Sequence, residues 1–281
     1  MVDWSNFLYF VRSQLFTGDY DAHIPFIKEL CSDLDLNIEE RLWIAFLYMG
    51  YYTEGSMYIA FSKKMVRNRK LTPPDDLPIT TQRRNLYGGR IQRHWEELHE
   101  ITSLSDWLGQ SSSWSELMEL VGSVYGNGRW AKYTTSELLV CVSDLEHEPD
   151  SFEILDSSGP KKGLSYLGLG PGEESAELVH NKLSREGIDI PFSQLESLLC
   201  DWAGMNKGTF YAGRNIDRQQ GRILQVEEKL GTKLDKLWEI RSKVFPPETL
   251  GELNGWEGID KERLKTYRDK NKKVLLPQES R

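Results

Sequence analysis

The sequence contains little cysteine, and the cysteines it has are far apart. Three of its 281 residues are cysteines, namely Cys31, Cys141 and Cys200. An odd number of distant thiols does not make a disulfide framework, and no Cys-x-x-Cys or His-Glu-x-x-His pair indicates a metal site. We therefore expect reduced core cysteines, a cytosolic compartment and no metal ligands.

Long apolar runs are absent as well. No stretch approaches the ~20 residues that cross a bilayer, and the N-terminal residues do not form a basic-then-apolar leader. The mean hydropathy of -0.53 and the hydrophobic share of 39% are typical of a globular protein in water. The phosphate-binding loop of P-loop kinases is also missing. We expect a cytoplasmic protein without a membrane partner.

Strand-like alternation of polar and apolar residues is rare, whereas helical periodicity fills most of the chain. It predicts an all-α fold. We expect one helical domain over 1–281, or two lobes of about 1–110 and 111–245 with a C-terminal extension, 246–281. The Gly-, Pro- and Ser-rich stretch 145–172 is predicted to be irregular. The main predicted helices cover about 3–15, 20–34, 39–52, 90–108, 175–186, 192–203, 217–230 and 233–245, and others start after Gly55 and near Ser111.

The most informative local pattern is a hairpin between two helices, in residues 120–139. Gly126 and Gly128 can both adopt the positive φ that a sharp reversal requires. The second helix would then present its N-terminal N–H groups beside Arg129 and Lys132, which is a typical anion site with phosphate as the usual ligand. An ordinary turn with a glycine C-cap fits the same residues, so both interpretations stay open.

Positive charge is concentrated in one part of an acidic chain. The net charge is -8, yet residues 55–95 carry nine Lys or Arg against two Asp. A basic stretch in an acidic protein suggests a polyanionic partner, and the aromatic residues among these bases suit unstacked nucleotides. A solvated helix face followed by a loop is the alternative. We predict phosphate contacts from Arg83, Arg84 and Arg90.

Two further segments combine carboxylates with turn residues. Glu54 follows Tyr48, Tyr51 and Tyr52 and is either an acid or base, or a helix-terminal charge. Residues 156–164 place Asp156 next to hydroxyls, glycines, Lys161 and Lys162, which suits a phosphate-handling loop or an ordinary turn.

Segment 210–218 crowds two arginines around a carboxylate. Arg214 and Arg218 fit an anion clamp, with Asp217 orienting them or accepting a proton. The alternative is that Asp217 is only the N-cap of the following helix.

The order of these motifs resembles the alpha-glutamyl/putrescinyl thymine pyrophosphorylases of bacteriophages, also called amino acid:DNA transferases. The motifs are YYTEGS (51–56), RRNLYGGR (83–90), YGNGRWAKY (125–133), DSSGPKKGL (156–164) and YAGRNID (211–217), and the resemblance spans roughly 40–245. It implies a helix-hairpin-helix fold similar to that of DNA glycosylases. The chain departs from true glycosylases because no unambiguous catalytic lysine stands at the hairpin, and the aspartate after it is Asp144, Asp150 or Asp156.

The resemblance also implies a reaction. Such enzymes act on phage DNA whose 5-hydroxymethyluracil has been pyrophosphorylated by a separate DNA-base kinase, and an amino acid or polyamine displaces the pyrophosphate. The base must be extruded or single-stranded. Arginines would hold the departing anion, and a carboxylate would take the proton of the amine. A divalent cation could accompany pyrophosphate, although the sequence shows no dedicated metal cluster.

These roles are assigned to particular residues. The candidate catalytic residues are Asp217, Asp156, Glu54, Arg214 and Lys132. Tyr51, Trp130 and Tyr211 are expected to stack on the base or to fill the gap it leaves. The DNA- and phosphate-binding set is Arg83, Arg84, Arg90, Gly126, Asn127, Gly128, Arg129, Lys161, Lys162 and Arg218.

Two other functions fit the same residues. A DNA glycosylase would share the hairpin and the basic stretch but would leave abasic sites in its product. A non-catalytic DNA-binding accessory protein would tolerate alanine at Asp217, Asp156 and Arg214 with loss of binding only.

Overall fold

The computed structural model describes residues 4–62, 76–80, 83, 86–143, 145–149 and 157–245. Within these ranges the chain forms thirteen α-helices and no strand. The predicted all-α class is therefore confirmed. None of the described helices is both long enough and apolar enough to span a bilayer.

The helices divide into two compact units that alternate along the chain. The first unit takes its described residues from Met1–Ala22, Pro149–Gly221 and Phe245–Arg281, and the second from His23–Glu148 and Arg222–Val244. The first contains α1 (Trp4–Thr17), α9 (Ser158–Tyr166), α10 (Glu173–Arg185), α11 (Phe192–Asn206) and the start of α12 (Arg214–Leu230). The second contains α2 (His23–Asp33), α3 (Ile38–Tyr51), α4 (Glu54–Ser62), α5 (Gly89–Glu100), α6 (Leu104–Leu108), α7 (Trp114–Ser123), α8 (Arg129–Val142), the rest of α12 and α13 (Asp235–Val244).

In the first unit, α9 packs directly on α11 through two glycines. A Cβ on Gly163 would lie 2.2 Å from the carbonyl oxygen of Leu199, and one on Gly159 would lie 2.5 Å from Sγ of Cys200. Residues four apart share one helix face, so these glycines let the two backbones approach. The rest of the core is apolar and aromatic, with Phe7, Phe10, Leu195, Trp202 and Phe210 among its members.

In the second unit, α3 is the central helix. Its start is fixed by a capping box, in which the Asn37 side chain accepts from the backbone N–H of Glu40 and the Glu40 carboxylate accepts from the N–H of Asn37. Every residue from Leu42 to Tyr51 is buried, as its apolar sequence predicted. The helix ends at Tyr52, whose φ of 51° is left-handed.

Two predictions about the helices are wrong. The single helix predicted for 90–108 is broken into α5 and α6, because Ser103 caps a new helix by accepting from the N–H of Asp106. The stretch predicted to be irregular, 145–172, contains α9. Residues 158–166 are thus helical, and the phosphate-handling loop expected there is not what the described part of the segment forms.

Candidate functional site

The hairpin predicted near residue 126 is present between α7 and α8, within the second unit. Gly126 has a φ of +87°, and the N–H of Asn127 donates to the carbonyl of Val124 at 3.1 Å. Gly128 is the N-cap of α8 and, being a glycine, has no side chain with which to cap the helix. The first turn of α8 therefore presents backbone donors at the tip of the hairpin, which is the arrangement that binds anions.

Only one of the two glycines adopts the expected conformation. Gly128 has a φ of −66° and a ψ of 178°, which any residue can adopt. Apart from Gly128 and its two chain neighbours, no described residue has a heavy atom within 4 Å of where a Cβ on Gly128 would be. By contrast, a Cβ on Gly126 would meet Cδ2 of Leu86 at 2.2 Å. The prediction of positive φ is confirmed at Gly126 and wrong at Gly128.

Side chains from earlier in the chain hold the hairpin. Arg83 donates from Nη1 to the carbonyl of Gly126 at 3.1 Å and from Nη2 to Oδ1 of Asn127 at 3.2 Å. The Arg83 residue is only 4% exposed, and burial lowers the pKa of its guanidinium to about 10. The structure thus gives Arg83 a role beneath the turn, which differs from the surface phosphate contact that we predicted.

Two residues of α5 bind the backbone at Tyr125. His94 donates from Nδ1 to the carbonyl of Tyr125 at 2.6 Å, and Oε2 of Glu97 accepts from the N–H of Tyr125 at 2.6 Å. The guanidinium of Arg93 lies over the Tyr125 ring, 4.2 Å from its centroid. Burial lowers the pKa of His94 to about 4, so the ring is neutral at pH 7. The shape of the hairpin is therefore set by Arg83, His94 and Glu97 as well as by its own glycine.

A second group of polar residues in this unit surrounds Glu54. Nη1 of Arg222, on α12, lies 3.4 Å from Oε1 of Glu54 and 3.2 Å from the hydroxyl of Tyr48. The guanidinium also lies over the ring of Tyr52, 5.1 Å from its centroid. Tyr52 in turn meets Trp130 edge-on, with ring centroids 5.1 Å apart. An ion pair, a left-handed tyrosine and the first turn of α8 thus form one cluster.

The electrostatics of this cluster favour a charged arginine. Burial disfavours the cation, but Glu54 and Tyr48 more than offset it, so the pKa of Arg222 is raised. His23, stacked on Tyr48 with centroids 5.1 Å apart, is neutral because burial lowers its pKa to about 3. Glu54 is 1% exposed, whereas the Arg222 side chain keeps 14% exposure. Arg222 is consequently the member of the pair that can reach a ligand.

The predicted stacking residues have different surroundings. Trp130 is half-buried beside Tyr52. Tyr51 is 1% exposed and packs on Trp95, and Tyr211 has no exposure. Both rings are thus buried in this structure, and their stacking on a DNA base stays a prediction.

The YAGRNID motif lies in the first unit, at a group of buried carboxylates. The hydroxyl of Tyr211 donates to Oδ2 of Asp217 at 2.5 Å. Asp19 accepts from the N–H of Ile216 at 2.9 Å, and the Asn215 side chain donates to Oδ2 of Asp201 at 3.2 Å. The carboxylates of this group are Asp19, Asp21, Asp201 and Asp217, and we call them the carboxylate cluster.

Members of the carboxylate cluster hold protons more strongly than free aspartate. Burial raises the pKa of Asp19 to about 7, with a further contribution from the charge of Asp217. Burial likewise raises the pKa of Asp21 to about 6 and the pKa of Asp201 well above its usual value. The cluster therefore carries less negative charge at neutral pH than its composition suggests.

Asp217 is not an N-cap, because α12 begins at Arg214 and the N–H of Asp217 already donates to the carbonyl of Gly213 at 3.0 Å. Arg214 is half-buried and donates to the carbonyl of Thr209. Arg218 is half-buried, and its charge acts on Asp201. Arg214, Asp217 and Arg218 thus all lie at the start of α12.

The remaining predicted residues are distributed over both units. Arg90 is exposed in the first turn of α5, and the stem of Lys132 packs 3.1 Å from where a Cβ on Gly122 would be. Lys161 is half-buried and Lys162 is exposed on α9. Asp156 and Arg84 lie outside the described residues. Among the residues that the structure describes, no three His, Cys, Asp or Glu side chains are arranged to hold a metal ion.

Several residues of these sites are not apparent in the sequence. Arg222 is one cation in an amphipathic helix, and nothing in its spacing reveals a partner 168 positions earlier. Asp19 follows a glycine, as many turn residues do, and contacts a residue 197 positions later. The sequence indicates only that an arginine or aspartate buried by folding needs a polar partner. It does not indicate which residue that partner is.

Residues 90–208 match the family model of the amino acid:DNA transferases. The match includes α5, the hairpin and α9 to α11. The resemblance predicted from the motifs is therefore confirmed over this stretch, and the name of the family describes transferases that act on DNA. A search of curated proteins finds no match to the chain.

Proposed function

We propose that the protein modifies a thymine-derived base in DNA, by replacing a pyrophosphate on its exocyclic methylene with an amine. The observation that carries the proposal is the family match over residues 90–208, a stretch that contains a hairpin whose second helix has a glycine at its N-cap. That hairpin is suited to hold a DNA phosphate through backbone N–H groups.

The proposed reaction is a substitution at carbon. The amine nitrogen forms a bond to the methylene carbon while the bond from that carbon to the pyrophosphate oxygen breaks, and its electron pair leaves with pyrophosphate. The amine loses one proton to a carboxylate. The nucleophile must be the neutral amine, and because a free α-amino group has a pKa of about 7.7–8.0, a modest base suffices.

Asp217 is our first candidate for the proton acceptor, and Arg214 and Arg218 are candidates for holding the anion. The Tyr211 hydroxyl fixes the Asp217 carboxylate, and planar guanidinium groups match phosphate oxygens in pairs. Arg222 supports a second assignment. Its guanidinium lies over the Tyr52 ring near Trp130, which suits contact with the carbonyl oxygens of an extruded pyrimidine.

The test is mass spectrometry of nucleosides after the protein is incubated with pyrophosphorylated DNA and a panel of amino acids and polyamines. We expect one amine to produce a nucleoside heavier than 5-hydroxymethyldeoxyuridine by the amine minus water. Abasic sites would instead indicate a glycosylase. Bound but unmodified DNA with every amine would favour the accessory-protein alternative.

The assignment of Asp217 and Arg214 makes a kinetic prediction. Asp217→Asn keeps an acceptor for the Tyr211 hydroxyl but cannot take a proton, so we expect a loss of about 100-fold or more in the rate of single-turnover pyrophosphate release. Arg214→Lys should also be slow, because an ammonium does not reproduce the two-pronged contact.

Thermal unfolding is the control for both variants and should change little. If both release pyrophosphate at the wild-type rate, Asp217 and Arg214 are not catalytic, and the base is to be sought at Asp156 or Glu54.

A further inference from the structure

Among the described residues of the basic stretch 55–95, Arg83 faces inward. Arg83 is 4% exposed, whereas Arg90, seven positions later, is exposed. A guanidinium that is buried away from ligand must satisfy its donors inside the protein. The two terminal nitrogens of Arg83 bind the hairpin, at the carbonyl of Gly126 and Oδ1 of Asn127, whereas its Nε has no hydrogen-bond partner among the described residues.

These contacts reach the turn at Gly126, the position where the backbone accepts a side chain least well. Gly126 is left-handed, and Leu86 lies against the position of its missing Cβ. The Asn127 amide also donates to the carbonyl of Val121 at 3.0 Å, which links the turn back to α7. One arginine thus ties together the two residues that precede the N-cap of α8.

We propose that Arg83 is a positioning residue for DNA binding: it holds the hairpin in the shape that presents the first turn of α8 to a phosphate, and it does not itself contact the DNA. This inference rests on the proposed function, because it assumes that the hairpin binds DNA. It assigns to Arg83 an effect on affinity that is separate from the charge of its side chain.

The salt dependence of DNA binding separates positioning from direct contact. A lost phosphate contact reduces the slope of log affinity against log salt by ~1. Arg83→Met keeps the stem but removes the donors and the charge, and Arg83→Lys keeps the charge but cannot bridge both acceptors. We expect both variants to bind about tenfold more weakly or worse at every salt concentration, with the slope of the wild type.

Arg90→Met is the matched control, because Arg90 is exposed in the same basic stretch. If Arg90 contacts phosphate, its variant loses about one unit of slope. Glu39→Ala controls for general destabilisation, since it removes two acceptors for the N–H groups of Leu104 and Ser105 elsewhere in the second unit. It should lower Tm without changing DNA affinity.

Amide hydrogen exchange of the free protein completes the experiment without DNA. Arg83→Lys should speed exchange at residues 124–129 and leave α3 unchanged. A reduced slope in Arg83→Met, with wild-type affinity in Arg83→Lys, would overturn the proposal in favour of a direct phosphate contact. Unchanged exchange would overturn it as well. If the wild type does not bind DNA although exchange responds as expected, the proposed function fails and the tie between Arg83 and the hairpin remains.

Discussion

At the scale of single residues, the two hairpin glycines have different functions. Gly126 has a left-handed φ, and Leu86 leaves no room for a Cβ there. Neither constraint applies to Gly128. We expect Gly126→Ala to lower the free energy of unfolding by about 1–3 kcal/mol, because it strains the turn. Gly128→Val should cost at most about 1 kcal/mol, yet it should weaken DNA binding by blocking the approach of a phosphate.

Chemical denaturation and DNA titration of the two variants check this. A Gly128→Val variant that is folded and binds DNA like the wild type would show that the segment is only a connector between helices.

Residue identity predicts some of these roles and not others. A Gly-x-Gly turn before a helix indicates a hairpin because few other residues accept positive φ, but it does not say which glycine is left-handed. A run of basic residues does not say which member is buried, and Arg83 binds acceptors 43 and 44 positions away. Pairing over such distances depends on how the segment that precedes α5 packs on the hairpin.

At the scale of secondary-structure elements, apolar periodicity predicted most of the helices. The apolar composition of residues 42–51 predicted α3, and all ten of these residues are buried. Apolar periodicity missed α9 because glycine and proline are unfavourable in helix interiors, and this helix contains Gly159, Pro160 and Gly163. Tertiary packing compensates: the glycines permit contact with α11, and Pro160 stands in the first turn, where its missing N–H costs little.

The packing of α9 on α11 makes a stability prediction. Gly163→Ala should raise the helix propensity of α9 but destabilise the protein by about 1–3 kcal/mol, because the new methyl group would collide with the Leu199 carbonyl. Gly170→Ala is the matched control, since the nearest described atom to its Cβ is 3.6 Å away. Chemical denaturation measures both. A Gly163→Ala variant as stable as Gly170→Ala would mean that α9 does not pack closely on α11.

At the scale of the whole molecule, the carboxylate cluster links stability to pH. Asp19 has a pKa of about 7 in the folded chain and a model value of 3.8, so the folded state binds its proton more tightly. Its contribution to stability is present below about pH 4 and is lost as the pH rises to about 7. A tenfold change in proton affinity corresponds to about 1.4 kcal/mol.

Replacing Asp19 isolates this effect from the other titrating groups. Asp19→Asn still offers an oxygen to the N–H of Ile216 but cannot ionise. The Tm of Asp19→Asn minus that of the wild type should therefore increase between pH 5 and pH 8. A difference that stays constant over this range would show that Asp19 does not titrate in it.

The whole molecule is acidic, with a net charge of -8, yet the proposed function requires it to bind a polyanion. DNA binding therefore depends on nearby positive charges and backbone N–H donors and not on the net charge. Screening limits interactions between exposed charges to about 10 Å at 0.1 M salt. The sequence predicts the basic stretch and the hairpin, since both are local patterns. The Arg222 pair and the carboxylate cluster are not predictable, because each joins residues from distant parts of the chain.

The stoichiometry of one turnover tests the proposed substitution most directly. Pyrophosphorylated DNA is mixed with excess protein and a ¹⁵N-labelled amine, and the pyrophosphate released is compared with the label retained in the DNA. We expect equal amounts, with the label on the exocyclic methylene of the base and every N-glycosidic bond intact. Pyrophosphate released without retained label, or bases released from the DNA backbone, would contradict it.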